Sequence, residues 1–163
     1  MTHEPGLEEG LEPHLRARPV LVVLSGPSGV GKDAVVQGVT TQDSRLRFVA
    51  TVTDRPRRPE EKDGVDYRFV TGDVFQEMVA RGDLLEHAVV YGQNKGIPRA
   101  EVRDALSRGE DVLLRVDVQG ARTVKSLISE AVTVFLAPPS KEALISRLSA
   151  RKTEGGPELE KRI

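Results

Sequence analysis

The 163-residue chain contains no cysteine. That absence excludes a disulfide framework, a thiolate nucleophile and cysteine-ligated zinc, and it suits a cytoplasmic compartment. Histidine is nearly as scarce, with three residues scattered along the chain, so a histidine metal cluster is not expected. Neither sign of charge is in excess. Against 24 Lys+Arg stand 25 Asp+Glu, a net charge of -1, which gives no general attraction toward nucleic acid or an anionic membrane; any anion site must be local. Apolar runs of membrane-spanning length are missing too, and the opening "MTHEPGLEEGLEPHLRARP" carries acids and prolines where a signal peptide would carry an apolar stretch. Residues 1–18 are read as a flexible leader. The 38% hydrophobic content supports one core with room for an inserted subdomain.

What is present is an alternation of strand and helix patterns. "PVLVVLSG" (Pro19 to Gly26) is a β-branched and Leu run ended by glycine, the pattern of a strand buried on both faces of a parallel sheet. A helix is expected from about Lys32. "RFVATVT" (Arg47 to Thr53) and "VDYRFVT" (Val65 to Thr71) read as strands on either side of a Pro/Arg/acid loop. "GDVFQEMVARG" reads as a helix with an Asp73 cap, Val74, Phe75, Met78 and Val79 on one face, and Gly82 closing it. "PRAEVRDALSRG" (Pro98 to Gly109) has proline at the start, glycine at the end and Val102, Ala105 and Leu106 on one side. "DVLLRVDVQG" and "AVTVFLAPP" are expected to be further buried strands, and "SKEALISRLSARKTEGGPELEKRI" a helix, a basic loop and the start of another helix. The pattern predicts an α/β, doubly wound, three-layer parallel sheet, with the residues between about Ala50 and Ile97 as an inserted mixed lobe.

Gly26, Gly31 and Lys32 fit G-x-x-x-x-G-K between a predicted strand and a predicted helix. In a P-loop of this kind the backbone N–H groups of Gly26, Pro27, Ser28, Gly29, Val30, Gly31, Lys32, Asp33 and Ala34 surround the phosphates of ATP as far as each residue has one. The helix N-terminus adds its dipole, and Lys32 bridges the outer phosphates. Asp33 stands where such loops carry Ser or Thr. It can bind Mg²⁺ directly or through water, or cap the following helix.

Beyond this loop, the pieces "GPSGVGK", "TDRPRRPEEKDGVDYRFV", "LLEHAVVYG", "VDVQGA" and "APPS" occur in an order and spacing similar to those of the guanylate kinases. These are P-loop enzymes that move the γ-phosphate of ATP, with Mg²⁺, onto GMP or dGMP. The resemblance runs from about Pro19 to Ile163. It implies a guanylate kinase-like domain over 19–163, with a core of 19–49 and 98–137, a GMP-binding lobe of 50–97 and a mobile lid over 138–163. The family's final strand and helix have no counterpart.

The resemblance places the GMP phosphate at Arg55, Arg58, Tyr67 and the position of Lys95, and arginine forks and a phenol suit a phosphomonoester. It assigns guanine reading to Glu86 and Asp117, helped by Thr51: a carboxylate accepts from guanine N1–H and the exocyclic amine together, whereas adenine offers an acceptor at N1 and no amine at C2. Lys32, Arg147, Arg151 and Arg162 match the cations that close on the transferring phosphate. His87 is read as a packing residue beside the base pocket.

Four positions depart from the family's commonest pattern. Asp33 replaces Ser/Thr, Arg115 replaces an acid two residues before Asp117, and Lys95 and Ile97 replace a Tyr and a Ser/Thr. The charge has in effect exchanged places between 33 and 115, provided Arg115 turns into the cleft and not toward a surface acid. Two other readings are a related kinase acting on a ribose bisphosphate, disfavoured by Glu86, Tyr67 and "DGVDY", and a non-catalytic binding module, disfavoured by Lys32 and the lid arginines. The partners implied are small nucleotides, with no nucleic acid or membrane.

Overall fold

The computed structural model of the protein describes residues 18–150. The leader, Arg151, Arg162 and the expected second helix of the lid therefore lie outside the described residues, apart from Arg18. The described strands form two sheets. In the first, β1 (Leu21–Ser25), β2 (Leu46–Phe48), β7 (Asp111–Arg115) and β8 (Val132–Phe135) run in the order β2-β7-β1-β8. Every pairing is parallel: Leu21 lies against Val112, Val22 against Val132 and Leu46 against Asp111. Parallel neighbours require crossovers, and the intervening helices supply them. Helices α3 (Arg99–Ser107) and α4 (Val118–Leu127) cover one face through Val102, Ala105, Ala121 and Val124, against Leu21, Val23, Val112 and Leu114. Helix α1 (Lys32–Gln42) covers the other, Val36 packing with Leu24 and Leu113. These are the three layers that the alternation predicts. The continuous apolar runs of β1 and β7 are continuous because both faces are covered.

The second sheet is mixed, in the order β4-β3-β6-β5, with β3 (Val52–Thr53), β4 (Arg68–Phe69), β5 (Leu84–Val90) and β6 (Gln93–Pro98). Helix α2 (Gly72–Ala80) seats Phe75 against Val52 and Leu84. Strands β5 and β6 form a hairpin in which Val90 faces Gln93 across Tyr91 and Gly92. Both turn residues have positive φ, 53° and 73°, the geometry of a two-residue turn that matches the twist of its strands. Helix α5 (Lys141–Ala150) places Leu144 and Leu148 on Val30.

The structure corrects four local readings. The strand expected over Arg47–Thr53 is two strands in two sheets: Val49 N donates to Leu113 O in the first, and Arg68 N donates to Thr51 O in the second. The chain changes partners within three residues, so one apolar run serves two ladders. Of Val65–Thr71, Arg68–Phe69 alone is strand, because the preceding residues close a turn in which Asp66 N donates to Lys62 O and Gly64 N to Tyr67 O. The cap of α2 is Thr71, whose hydroxyl accepts from Val74 N, with Asp73 in the first turn and Val74 exposed. Strand β8 is exposed along its length. Among the described residues it pairs with β1 alone, and its β-branched residues report strand propensity and not burial.

Ile97, a polar position by family pattern, is fully buried beside Val49, Val102 and Val116. Ile97→Ser should therefore destabilise the fold by about 3 kcal/mol, through a cavity and a hydroxyl placed in apolar surroundings. Urea unfolding of the two proteins checks this, and equal midpoints would remove Ile97 from the core.

Candidate active site

Because β1 and β7 are parallel and in register from Leu21/Val112 to Leu24/Arg115, their carboxyl ends emerge side by side. That is the edge of an open α/β sheet where ligands bind. A cleft of about 450 Å³ opens there, lined by Gly26, Pro27, Ser28, Gly29, Gly31, Lys32 and Asp33 on one side and by Thr51, Tyr67, Glu86, Lys95, Arg115 and Asp117 on the other. Most of the residues singled out from the sequence thus share one cavity. Val30 turns inward to α5 and Ala34 is exposed on α1, so neither lines it.

The loop holds its shape by close backbone packing. Gly26 has φ 148°, and a Cβ there would fall 2.4 Å from Leu136 O; at Gly29 (φ 79°) it would fall 2.6 Å from Leu148 Cδ2. A side chain at Gly26 would press on backbone and force the loop open, and one at Gly29 would take a strained positive φ and displace the Leu148 side chain. Lys32 Nζ donates to Gly26 O (2.6 Å) and Pro27 O (2.9 Å), which holds the ammonium across the loop mouth. Arg147 Nη1 donates to Val30 O at 2.8 Å. The structure therefore puts Arg147 on the backbone of the loop and not among the residues lining the cleft.

At the far end, Glu86 on β5 is 5% exposed. Among the described residues no hydrogen-bond partner reaches its Oε2. Helix α4 begins directly over it: a Cβ on Gly120 would sit 3.0 Å from that oxygen. Burial, with the negative charge of Asp117 adding to it, raises the Glu86 carboxyl from 4.5 to about 7. A buried carboxylate oxygen with no donor among the described residues, in a group that lines a cavity, is a site for a donor from outside. Asp117 caps α4, its Oδ1 accepting from Gly120 N at 3.0 Å. Thr51 donates its hydroxyl to Arg115 O at 3.1 Å. His87 is exposed on the opposite side of β5 from Glu86, so it does not pack beside the pocket as expected; successive strand residues face opposite ways.

The expected convergence of Arg55, Arg58 and Tyr67 has an organiser that the sequence reading missed. Glu61 accepts from Arg55 through both carboxylate oxygens, from Arg58 N at 2.9 Å, and lies 3.9 Å from Arg58 Nη1. Burial works against its charge, but the hydrogen bonds from Arg55 and Arg58 prevail and hold the carboxyl below its ordinary value. The Arg55 guanidinium lies 4.7 Å over the Tyr67 ring, and Lys95 Nζ is 6.0 Å from it. Arg55 thus lies against Tyr67, which lines the cleft, and Arg58 is tied to Arg55 through Glu61, while neither arginine lines the cleft itself. The signal for Glu61 was its spacing, three residues after Arg58 and six after Arg55 in an acid-flanked loop.

Asp33 and Arg115 are joined. Arg115 Nη1 donates to Asp33 Oδ1 at 2.5 Å, and Nη2 donates to Asp66 O at 2.6 Å. Arg115 turns into the cleft, as the charge exchange requires. Asp33 makes no cap bond to α1, whose N-cap is Gly31.

The sequence model of the family described as "Guanylate kinase" matches residues 17–163. The chain is 52% identical over 136 residues to "Guanylate kinase" of Nocardia farcinica, covering 82% of this chain and 70% of that protein. It is 50% identical over 138 residues to "Guanylate kinase 2, chloroplastic/mitochondrial" of Oryza sativa subsp. japonica, covering 84% of this chain and 48% of that protein. The chain thus spans about half the length of the rice relative. A solved guanylate kinase from Anaplasma phagocytophilum superposes with a TM-score of 0.68 at 30% identity, over 90% of this chain and 69% of that one.

The raised Glu86 pKa has a consequence for stability. Its folded value lies above the unfolded one, so its contribution is complete below pH 4.5 and is lost as the pH rises to about 7. Glu86→Gln should remove this loss, which amounts to at most about 3 kcal/mol. Unfolding of both proteins between pH 4.5 and 8 checks it: the variant should gain on the parent as pH rises, and parallel curves would place the titration elsewhere.

Proposed function

The chain belongs to the guanylate kinase family, and from that premise we propose that the protein transfers the γ-phosphate of ATP to GMP or dGMP. The observation that carries the acceptor assignment is the buried, unpartnered Glu86 Oε2 in the same cleft as the phosphate loop. Guanine presents N1–H and the C2 amine side by side, which two carboxylate oxygens accept together; Asp117 and Thr51 line the same end. Adenine would leave Glu86 facing its N1 acceptor, a buried mismatch. Tyr67 and Lys95, backed by Arg55 and Arg58, then meet the acceptor phosphate, while Lys32 and the loop N–H groups hold the outer phosphates of ATP.

In the transfer, an oxygen of the GMP phosphate bonds to the γ-phosphorus as the bond to the β–γ bridging oxygen breaks. ADP leaves with that electron pair, and GDP is formed. Little covalent work falls to the protein, which positions the two phosphates and neutralises charge. Arg147, together with Arg151 and Arg162 outside the described residues, belongs to the lid that completes this neutralisation. The chain's own donors fit Mg²⁺: the Asp33 carboxylate is 57% exposed at the phosphate loop, and this ion takes one or two carboxylates with phosphates and water. Bound there with ATP, it would supply charge neutralisation between the β- and γ-phosphates. On this reading residues 50–97 carry the acceptor, and the compartment is cytoplasmic. Among the described residues no helix is long and apolar enough to cross a membrane.

Coupled-assay turnover tests the reading with GMP, dGMP, AMP, CMP, UMP, guanosine and ribose 1,5-bisphosphate as acceptors. GMP and dGMP should react, and guanosine negligibly. Turnover of the ribose bisphosphate alone, or of nothing, would overturn it. Glu86→Gln should raise the GMP KM by about tenfold or more while leaving the ATP KM near its parent value. Because Glu86 accepts best when ionised, guanosine, which carries no titrating phosphate, should bind the parent more tightly as pH rises through about 7, and the variant should lack that rise.

A further inference from the structure

Arg115 touches both halves of the cleft at once. It stands at the end of β7, its side chain 4% exposed. One guanidinium nitrogen donates to Asp33 in the first turn of α1, and the other to the carbonyl of Asp66 in the loop that presents Tyr67. Its Cζ lies 4.3 Å over the Tyr67 ring and 5.3 Å over that of Phe48. Two guanidiniums thus lie against the Tyr67 ring, Arg55 at 4.7 Å and Arg115 at 4.3 Å. The Asp66 turn is tight in its own right: Lys62 N donates to Asp66 Oδ2, and Asp66 N to Lys62 O. Fixing Asp66 O therefore fixes the backbone one residue before Tyr67.

We propose that Arg115 is a positioning residue for the acceptor phosphate site, and that it is held in place from the donor side by Asp33. The proposal rests on the assignment of Tyr67 to the acceptor phosphate given above. A guanidinium is a planar fork whose nitrogens move together, so a change at the Nη1 partner reaches the Nη2 partner without an intermediate. A nearly buried cation also needs its counter-charge, and the carboxylate hydrogen-bonded to Arg115 is Asp33. Without that charge the guanidinium turns toward solvent, and Asp66 O and the Tyr67 ring lose it together. Asp33 thus has a second task besides its place at the phosphate loop. It sets the posture of the acceptor site before any donor nucleotide is present.

The test is binding of GMP to the full 163-residue chain by calorimetry, with no ATP and no divalent metal, beside guanosine under the same conditions. Asp33→Asn should weaken GMP by about tenfold and leave guanosine unchanged, because the strut serves the phosphate end alone. Arg115→Met should do the same. Arg115→Lys should not restore GMP binding, since an ammonium does not span both acceptors in the geometry of the fork. If Asp33→Asn binds GMP like the parent, Asp33 acts on the donor side only and the proposal falls. Equal losses for GMP and guanosine would also overturn it, as a general defect of the lobe. A parent chain that binds no GMP would overturn the assigned function itself, an outcome separate from the other two.

Discussion

The parallel ladder between β1 and β7 is the constraint on which the rest depends. Pairing Leu24 with Arg115 sets the residues that follow each strand at the same level. Gly26 begins the phosphate loop on one side, and Val116 and Asp117 enter α4 on the other. A slip of one residue would turn Arg115 away from the cleft and bring a Leu to face Asp33. Burial of both faces of the ladder, by α1 on one and by α3 and α4 on the other, pins that register.

Arginines in and beside the cleft are held by carboxylates. Glu61 gathers Arg55 and Arg58, and Asp33 holds Arg115. Each paired arginine is oriented in advance, and preset donors do not have to reorganise when charge arrives. Glu86 differs, a carboxylate with burial and a neighbouring acid both acting against its charge. On the proposed reading the unsatisfied group would meet a base with two donors and the satisfied ones would serve phosphates, an asymmetry that a nucleotide shares.

Much of this was legible in the sequence. The buried strands β1 and β7 announced themselves as apolar runs, the phosphate loop by glycine spacing, and α3 by its proline and glycine ends. Glu86 stood out as an acid within an apolar run, but its burial was not legible, because a register shift between Leu84 and Glu86 breaks the strand alternation and α4 closes over the carboxyl at Gly120. Other features were hidden because they depend on partners distant in sequence. The split of "RFVATVT" follows from ladders to Leu113 and to Arg68, which no local pattern displays. Among the described residues β8 lies at the end of its sheet and is exposed, and Val and Phe do not encode place. The contact of Arg115 with Asp33 spans 82 positions. That pairing was readable only as a compensating exchange of charge, and its third member, a backbone carbonyl at Asp66, leaves no trace in residue identity.

The packing of Gly120 on Glu86 bears on how this pocket can change over generations. A methyl group at 120 would meet Glu86 Oε2 at 3.0 Å and the Cβ of Val116 at 3.1 Å. The glycine is kept there by want of room, since its backbone does not fall in the left-handed region. A mutation that shortens residue 86 would relieve the contact with a side chain at 120, whereas with that side chain in place a returning glutamate would have to shift by a few tenths of an ångström. The cost of each substitution thus depends on which of the two comes first.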